Sequence, residues 1–226
     1  MSSQWTFRIV TGLVIATLLY WFIPNESNPR PEYWNIQIEK NEISILGLNL
    51  HTSHLKDINL IFENRPEIAM FTKRQHAGEP VPSMRLEAYY KDLFNENDHI
   101  IVGLTADDKL LQKIKDDAYQ PTLFPNNVIR IGIKDARLPT INQLTIQSIT
   151  IIPGGTIDTK EFDAKFGAPT QHINDGQGNA HFLHPAMGLD FIQPSEGNQV
   201  LQFVSPDQFK TELLTPLMSL RGTSNE

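Results

Sequence analysis

Cysteine is absent from all 226 residues. That excludes disulfides, thiolate metal sites, cysteine nucleophiles and attachment through an acylated N-terminal cysteine. A body without such staples must be held by its apolar core, and about 200 residues is ample for one. An excess of basic charge is also missing. Nineteen Lys and Arg stand against 26 Asp and Glu, a net charge of −7. The signs are interspersed, as along 109–117, and no basic stripe gathers. Nucleic-acid binding rests on clustered cations meeting phosphate, so nucleic acid is not an expected partner. An anionic membrane surface would likewise repel this body. Catalytic signatures are equally scarce. There is no G-x-S-x-G elbow, and no G-K-[ST] follows Gly154-Gly155.

Long apolar runs are missing too, with one exception. Residues 9–23 carry no charge, and Trp5, Phe7, Tyr20, Trp21 and Phe22 extend that stretch with interface-seeking aromatics. Counted from Trp5 it is 19 residues long, close to the roughly 20 that a transmembrane helix needs. Arg8 and the α-amino group lie on the short side, which favours a cytoplasmic N-terminus and an exported C-terminal body. The exit, Leu19-Tyr20-Trp21-Phe22-Ile23-Pro24, is bulky where signal cleavage wants small residues. We read an uncleaved signal anchor over 1–23. A cleaved signal and a helix packed inside a larger assembly are the other readings of the same run. Gly12 and Ala16 form a small-xxx-small pair, a candidate contact with another membrane helix. Residues 24–34 are a proline-punctuated linker, and 221–226 a polar tail.

Beyond the linker the pattern predicts an α+β fold. A first segment, 35–135, holds a strand-like stretch ending at Gly47, then a helix carrying Leu55, Ile58, Ile61 and Phe62 on one face. Strands follow at 68–72, 84–90 and 100–104, then a helix over 107–118, a loop at 121–127 and a strand at 128–133. A second segment, 136–220, opens with a strand at 144–152, read with Ile146 on the side of Ser148 and Thr150 and opposite Ile149 and Ile151. A helix bearing Phe162 and Phe166 comes next, then strands at 180–184, 188–192 and 199–204. A last helix with Phe209, Leu213 and Leu214 is expected to end at Pro216. Phe162 lies 104 residues after Ile58, and Phe166 lies 104 after Phe62. The two segments therefore read as tandem helix-plus-antiparallel-sheet repeats forming one sheet with helices on one face.

Phe166-Gly167-Ala168-Pro169, the glycines Gly176 and Gly178, and the later runs 188–191 and 200–206 resemble the SmpA/OmlA family, which includes the BamE-type subunit of the outer-membrane protein assembly machine. A tandem pair resembles the β-lactamase-inhibitor-protein fold. The resemblance covers 156–206 best and 47–104 loosely. It implies a non-catalytic module that presents a sheet face or edge to a partner. The missing lipobox cysteine departs from that family and puts the body, held by a helix, at the periplasmic face of an inner membrane.

Catalytic readings are weaker. His181 and His184 form H-x-x-H near His172, Asp175 and Asp190. On a strand, residues three apart face opposite ways, so no metal site is expected there. His51 and His54 meet no acidic partner at metal-ligand spacing. Glu87 is the most notable carboxylate, a general acid or base if buried. We expect no catalytic residue, cofactor or metal. The expected function is a membrane-anchored extracytoplasmic interaction protein, an accessory subunit of an envelope complex. Its partners are then other envelope proteins, with the bilayer contacted through 5–23. Tyr89, Tyr90, Phe182, Phe191 and Phe203 are the candidate partner-binding aromatics. An extracytoplasmic enzyme or enzyme inhibitor is the alternative: a deep pocket with several titratable groups would favour catalysis, and a gently concave sheet with exposed aromatics would favour docking.

Overall fold

Alternating apolar residues do most of the organising. The computed structural model describes residues 36–39, 42–62, 64–74, 83–94, 96–124 and 127–223. The anchor expected over 5–23, with Gly12 and Ala16, the linker 24–34 and the last three residues of the tail lie outside them. Among the described residues no helix is long and apolar enough to cross a membrane.

Strands β1 (Ile36–Glu39), β2 (Glu42–Ile45) and β3 (Leu48–Asn49) form a small sheet. Helix α1 (Leu55–Phe62) leads to β4 (Glu67–Lys73), β5 (Met84–Lys91) and β6 (His99–Leu104). Helix α2 (Asp108–Asp116) precedes the hairpin of β7 (Tyr119–Leu123) and β8 (Val128–Gly132), and a one-turn helix α3 (Leu138–Ile141) precedes β9 (Ile146–Ile152). Then come α4 (Thr159–Phe166), β10 (Gln171–Asn174), β11 (Asn179–His184), β12 (Leu189–Pro194), β13 (Val200–Val204) and α5 (Thr215–Thr223). Ten strands join in one antiparallel sheet, in the order β10-β11-β12-β13-β9-β6-β5-β4-β8-β7.

The register sorts the two faces, because directly paired residues point the same way. One row runs Ala88, Val102, Ile149, Phe203, Leu189, and the next runs Tyr90, Ile100, Ile151, Leu201, Phe191. All ten are buried. This face is covered by α1, through Leu55 and Ile58, and by α4, whose Phe162 stacks on Phe191 at 4.2 Å. Such a ring pair adds about 0.5–1.5 kcal/mol beyond its area. Asp158 caps α4 by accepting hydrogen bonds from the Lys160 and Glu161 amides, and Asp107 caps α2 through the Leu110 amide.

The rows between belong to the second face: Glu87, Gly103, Ser148, Val204, and Tyr89, Ile101, Thr150, Gln202, Asp190. They are mostly polar. The C-terminal helix packs here, Phe209, Leu213 and Leu217 closing a separate cluster with Ile173, Leu183 and Val204.

These facts overturn the expected fold. Among the described residues no helix can cross a membrane, and in place of two tandem repeats with helices on one face the chain is a mainly sheet α+β fold with five α-helices and one ten-stranded sheet. The helices lie on both faces, not on one. The halves also differ in order. Outward from the β6–β9 junction, the first half runs β6-β5-β4-β8-β7, so that its third strand is innermost. The second runs β9-β13-β12-β11-β10, with its first strand innermost.

Two local readings also change. Ile146 joins the face of Ile149 and Ile151 because the β6–β9 register shifts between Gly103 and Leu104: Gly103 pairs Ser148, but Leu104 pairs Ile146. The last helix also continues past Pro216 to Thr223. A π turn over Lys210–Leu214 carries the Thr215 amide back to the Lys210 carbonyl. It leaves Pro216 in the first turn of α5, where no amide hydrogen is needed.

Candidate groove on the second sheet face

Ten strands are too wide for the helices on the second face to cover. An open groove of about 700 Å³ is left there, lined by Leu213 and Leu217 and reaching Leu111 of α2, a helix whose buried Leu111 and Ile114 belong to the apolar-face core. That size is typical of clefts that take a small ligand or a few side chains. Its floor is the polar row: Glu87 and Arg85 from β5, Ser148 and Thr150 from β9, Gln202 from β13 and Asp190 from β12. Gly103 keeps the centre low, since a side chain there would run into the Ser148 hydroxyl.

The most ordered polar group is at the β11–β12 end. His181 Nδ1 lies 2.7 Å from Asp190 Oδ2, and its Nε2 lies 3.8 Å from Asp175 Oδ2. All three residues are buried. Asp175 is held by the Gln177 amide and by the amide and Nδ2 of Asn179 at 2.6–3.0 Å. Burial pushes its carboxyl up, but these hydrogen bonds and the His181 charge outweigh that and hold it below the usual range. Burial also pulls the His181 imidazole down, and again the neighbours win. The hydrogen bond to Asp190 and the charges of both carboxylates keep it protonated above its ordinary value. Burial raises Glu87 at the other end, and the Arg85 guanidinium offsets this only in part.

His184, three residues from His181, points to the opposite face and packs edge-on to Phe162 with centroids 5.5 Å apart. The H-x-x-H pair is thus divided between the two faces, as the strand reading expects. Among the described residues no three His, Asp or Glu side chains are arranged to hold a metal ion. A second constellation, His51, Ser205 and Asp207, resembles a nucleophile with its base only in composition. Ser205 Oγ donates to Asp207 and accepts from His51 Nε2 at 3.2 Å, so the histidine acts as donor, not as base. It is a brace between the turn after β3 and the end of β13.

Distances across the floor limit the chemistry. Strands lie about 4.8 Å apart. Glu87 and Asp190 are four strands apart, or about 19 Å, and Ser148 and His181 are three apart, or about 14 Å. Paired carboxylates of glycosidases sit within about 10 Å, and a general base must reach its proton at about 3 Å. The floor can hold hydrogen-bonding and charged groups of a ligand, but it keeps Glu87 far from the His181–Asp190 pair and Ser148 far from His181.

The aromatics singled out from sequence scatter. Tyr90, Phe191 and Phe203 are 1%, 2% and 0% exposed on the apolar face. Tyr90 donates to Asn59 Oδ1 at 2.8 Å, and its burial raises the phenol pKa. Phe182 is half-buried and stacks on His172 at 4.7 Å. Tyr89 alone shares the groove's face, beside His99 and with the Lys91 amine 5.5 Å from its ring centroid. Sequence reasoning did not gather Arg85, Ser148, Thr150, Gln202 and Glu212 into a site. The available signal was polar alternation in three strands that turn out to be central. Set against family models, curated proteins and solved structures, the chain matches none, and nothing in those comparisons identifies SmpA/OmlA repeats.

Proposed function

We propose that this chain is a non-catalytic binding protein of the cell envelope, an accessory subunit of a membrane complex. In this reading residues 5–23 anchor it in the inner membrane, and the described body lies on the periplasmic side. The groove on the second sheet face receives a group of its partner. The observation that supports this is the floor itself. Four of five neighbouring strands present Glu87, Ser148, Thr150, Gln202 and Asp190 in an open concavity, where a purely structural sheet would be covered by helices or uniformly solvated. The wide separation of Glu87 from the His181–Asp190 pair, and of Ser148 from His181, argues for recognition over bond-breaking.

A photo-cross-linking side chain at Thr150, in the full-length protein in intact membranes, tests the reading. We expect a discrete adduct from Thr150 and none from the exposed Gln112 on α2. Equal labelling from both positions, or none from Thr150, would remove the groove as the binding surface. Glu87 supports the catalytic alternative, through its raised carboxyl inside a cleft. Turnover of any small substrate that is lost in Glu87→Gln, with folding intact, would replace the binding reading by that one.

A further inference from the structure

Asp190 is the least satisfied group in the groove. It is 3% exposed, and its Oδ2 accepts from His181. Its Oδ1 is buried without a hydrogen-bond partner, although Gln202 is its direct cross-strand neighbour. Buried polar atoms are nearly always paired, and a carboxylate oxygen left bare costs more than a neutral one. Of the other buried polar atoms without a partner among the described residues, His184 Nε2 belongs to the apolar face, and neither it nor His99 Nδ1 nor Gln208 Oε1 lines the groove. Asp190 does line one.

The charge balance says what would satisfy it. Asp190, Glu87 and Glu212 line the groove against Arg85 and His181, one negative charge in excess even with the imidazole protonated. A divalent metal does not fit, because among the described residues no three His, Asp or Glu side chains are arranged to hold one. Beside this carboxylate, Leu213 and Leu217 supply an apolar wall. We propose that Asp190 binds the ammonium or guanidinium head of a ligand whose aliphatic stem lies along Leu213 and Leu217. This rests on the groove-binding reading above and names the chemistry that the groove selects.

The experiment uses the full chain in lipid nanodiscs and follows the His181 imidazole by NMR. The probes are Nα-acetyl-lysine methylamide, Nα-acetyl-arginine methylamide, 1,5-diaminopentane, and the neutral Nα-acetyl-norleucine methylamide. The cationic probes should shift the His181 signal, and the norleucine amide should not. A cation on Asp190 disfavours the neighbouring imidazolium, so the His181 titration midpoint should fall on binding. Tighter binding of the diamine would assign a free amine as the natural ligand. Tighter binding of the amides would assign a lysyl or arginyl side chain of a peptide.

Asp190→Asn should weaken the cationic probes about tenfold or more. Gln202→Lys decides the matter if that variant fails to fold. It places an ammonium opposite Asp190 in the same chain, and it should raise the melting temperature and abolish probe binding. Cationic probes that bind no better than the norleucine amide, or that survive both substitutions, would overturn the assignment. If the neutral amide shifts Thr150 and Gln202 signals as strongly as the cationic probes do, the cation assignment falls while groove binding stands. If no probe of any charge shifts them, both fall.

Discussion

His181 and His184 sit on one strand, face opposite ways, and are pulled in opposite directions. Burial lowers His184, and the charges of Asp163 and Asp190 recover only part of the shift. Its folded value therefore lies below the roughly 6.5 of an unfolded histidine. Below that pH the unfolded chain binds the extra proton, so the stability His184 contributes is present above about pH 6.5 and lost as pH falls through the depressed value. His181 behaves in the reverse sense. Its folded value is raised, so its contribution is complete below about pH 6.5 and fades as pH rises through the higher value. We predict that His184→Phe flattens the acid limb of the melting-temperature profile and leaves the alkaline limb in place. Each kcal/mol recovered should appear as about 2–4 °C. Comparing variant with parent at each pH cancels the carboxylates common to both. An acid limb of unchanged slope would show that the imidazole is hydrated or paired there.

At the scale of elements, connections carry constraints that the strands do not. Gly188, between β11 and β12, has φ +58°, and a side chain there would run into the Val204 carbonyl oxygen on β13. Gly197, between β12 and β13, has φ +95° but faces open space. Alanine at 197 meets only the backbone penalty, about 1–2 kcal/mol. Alanine at 188 adds a clash with an atom held in the sheet ladder and should cost more than that, read as a larger fall in urea midpoint at unchanged m-value. Equal losses would mean that β13 yields easily.

The same contrast explains what was legible in the sequence. Strands β5 and β6 were readable because each buries every second residue, and β9, β11 and β13 keep part of that alternation. Strands β7 and β10 were not, and they are the two edges of the sheet. All five residues of β7 are exposed and it contains Pro121, while β10 buries only Ile173. Edge strands need no apolar alternation, and they use proline to discourage further pairing. Glu87, His181 and Asp190 each stood out as individual residues. Their gathering into one groove depends on strand order, which no local pattern encodes, and the bulge at Gly103 turned Ile146 against its expected side.

For the whole molecule, the two faces of the sheet are unequal in a way that bears on how a ligand gets in. The first core is one continuous cluster of 29 buried side chains spanning α1, α2, α3, α4, the small sheet and strands of the large one. The second face is held at its C-terminal end by a cluster of six, three of them from the π turn and the helix segments around it. Hydrogen bonding in that helix is interrupted where it meets Pro216, and few apolar contacts tie it down. Regions of this kind open in sub-global steps with free energies below that of full unfolding. Native-state hydrogen exchange should therefore show the amides of Leu213 and Leu217 exchanging through a low-energy opening, while those of Ile100 and Ile149 in the central strands exchange only with global unfolding. Under mild denaturant the two sets would converge only near the transition. Since Leu213 and Leu217 form one side of the groove, that opening would admit a ligand larger than the closed mouth and then close the apolar wall on it. Exchange of both sets at the global free energy would mean a rigid wall, and ligands would then be limited to what fits the groove as it stands.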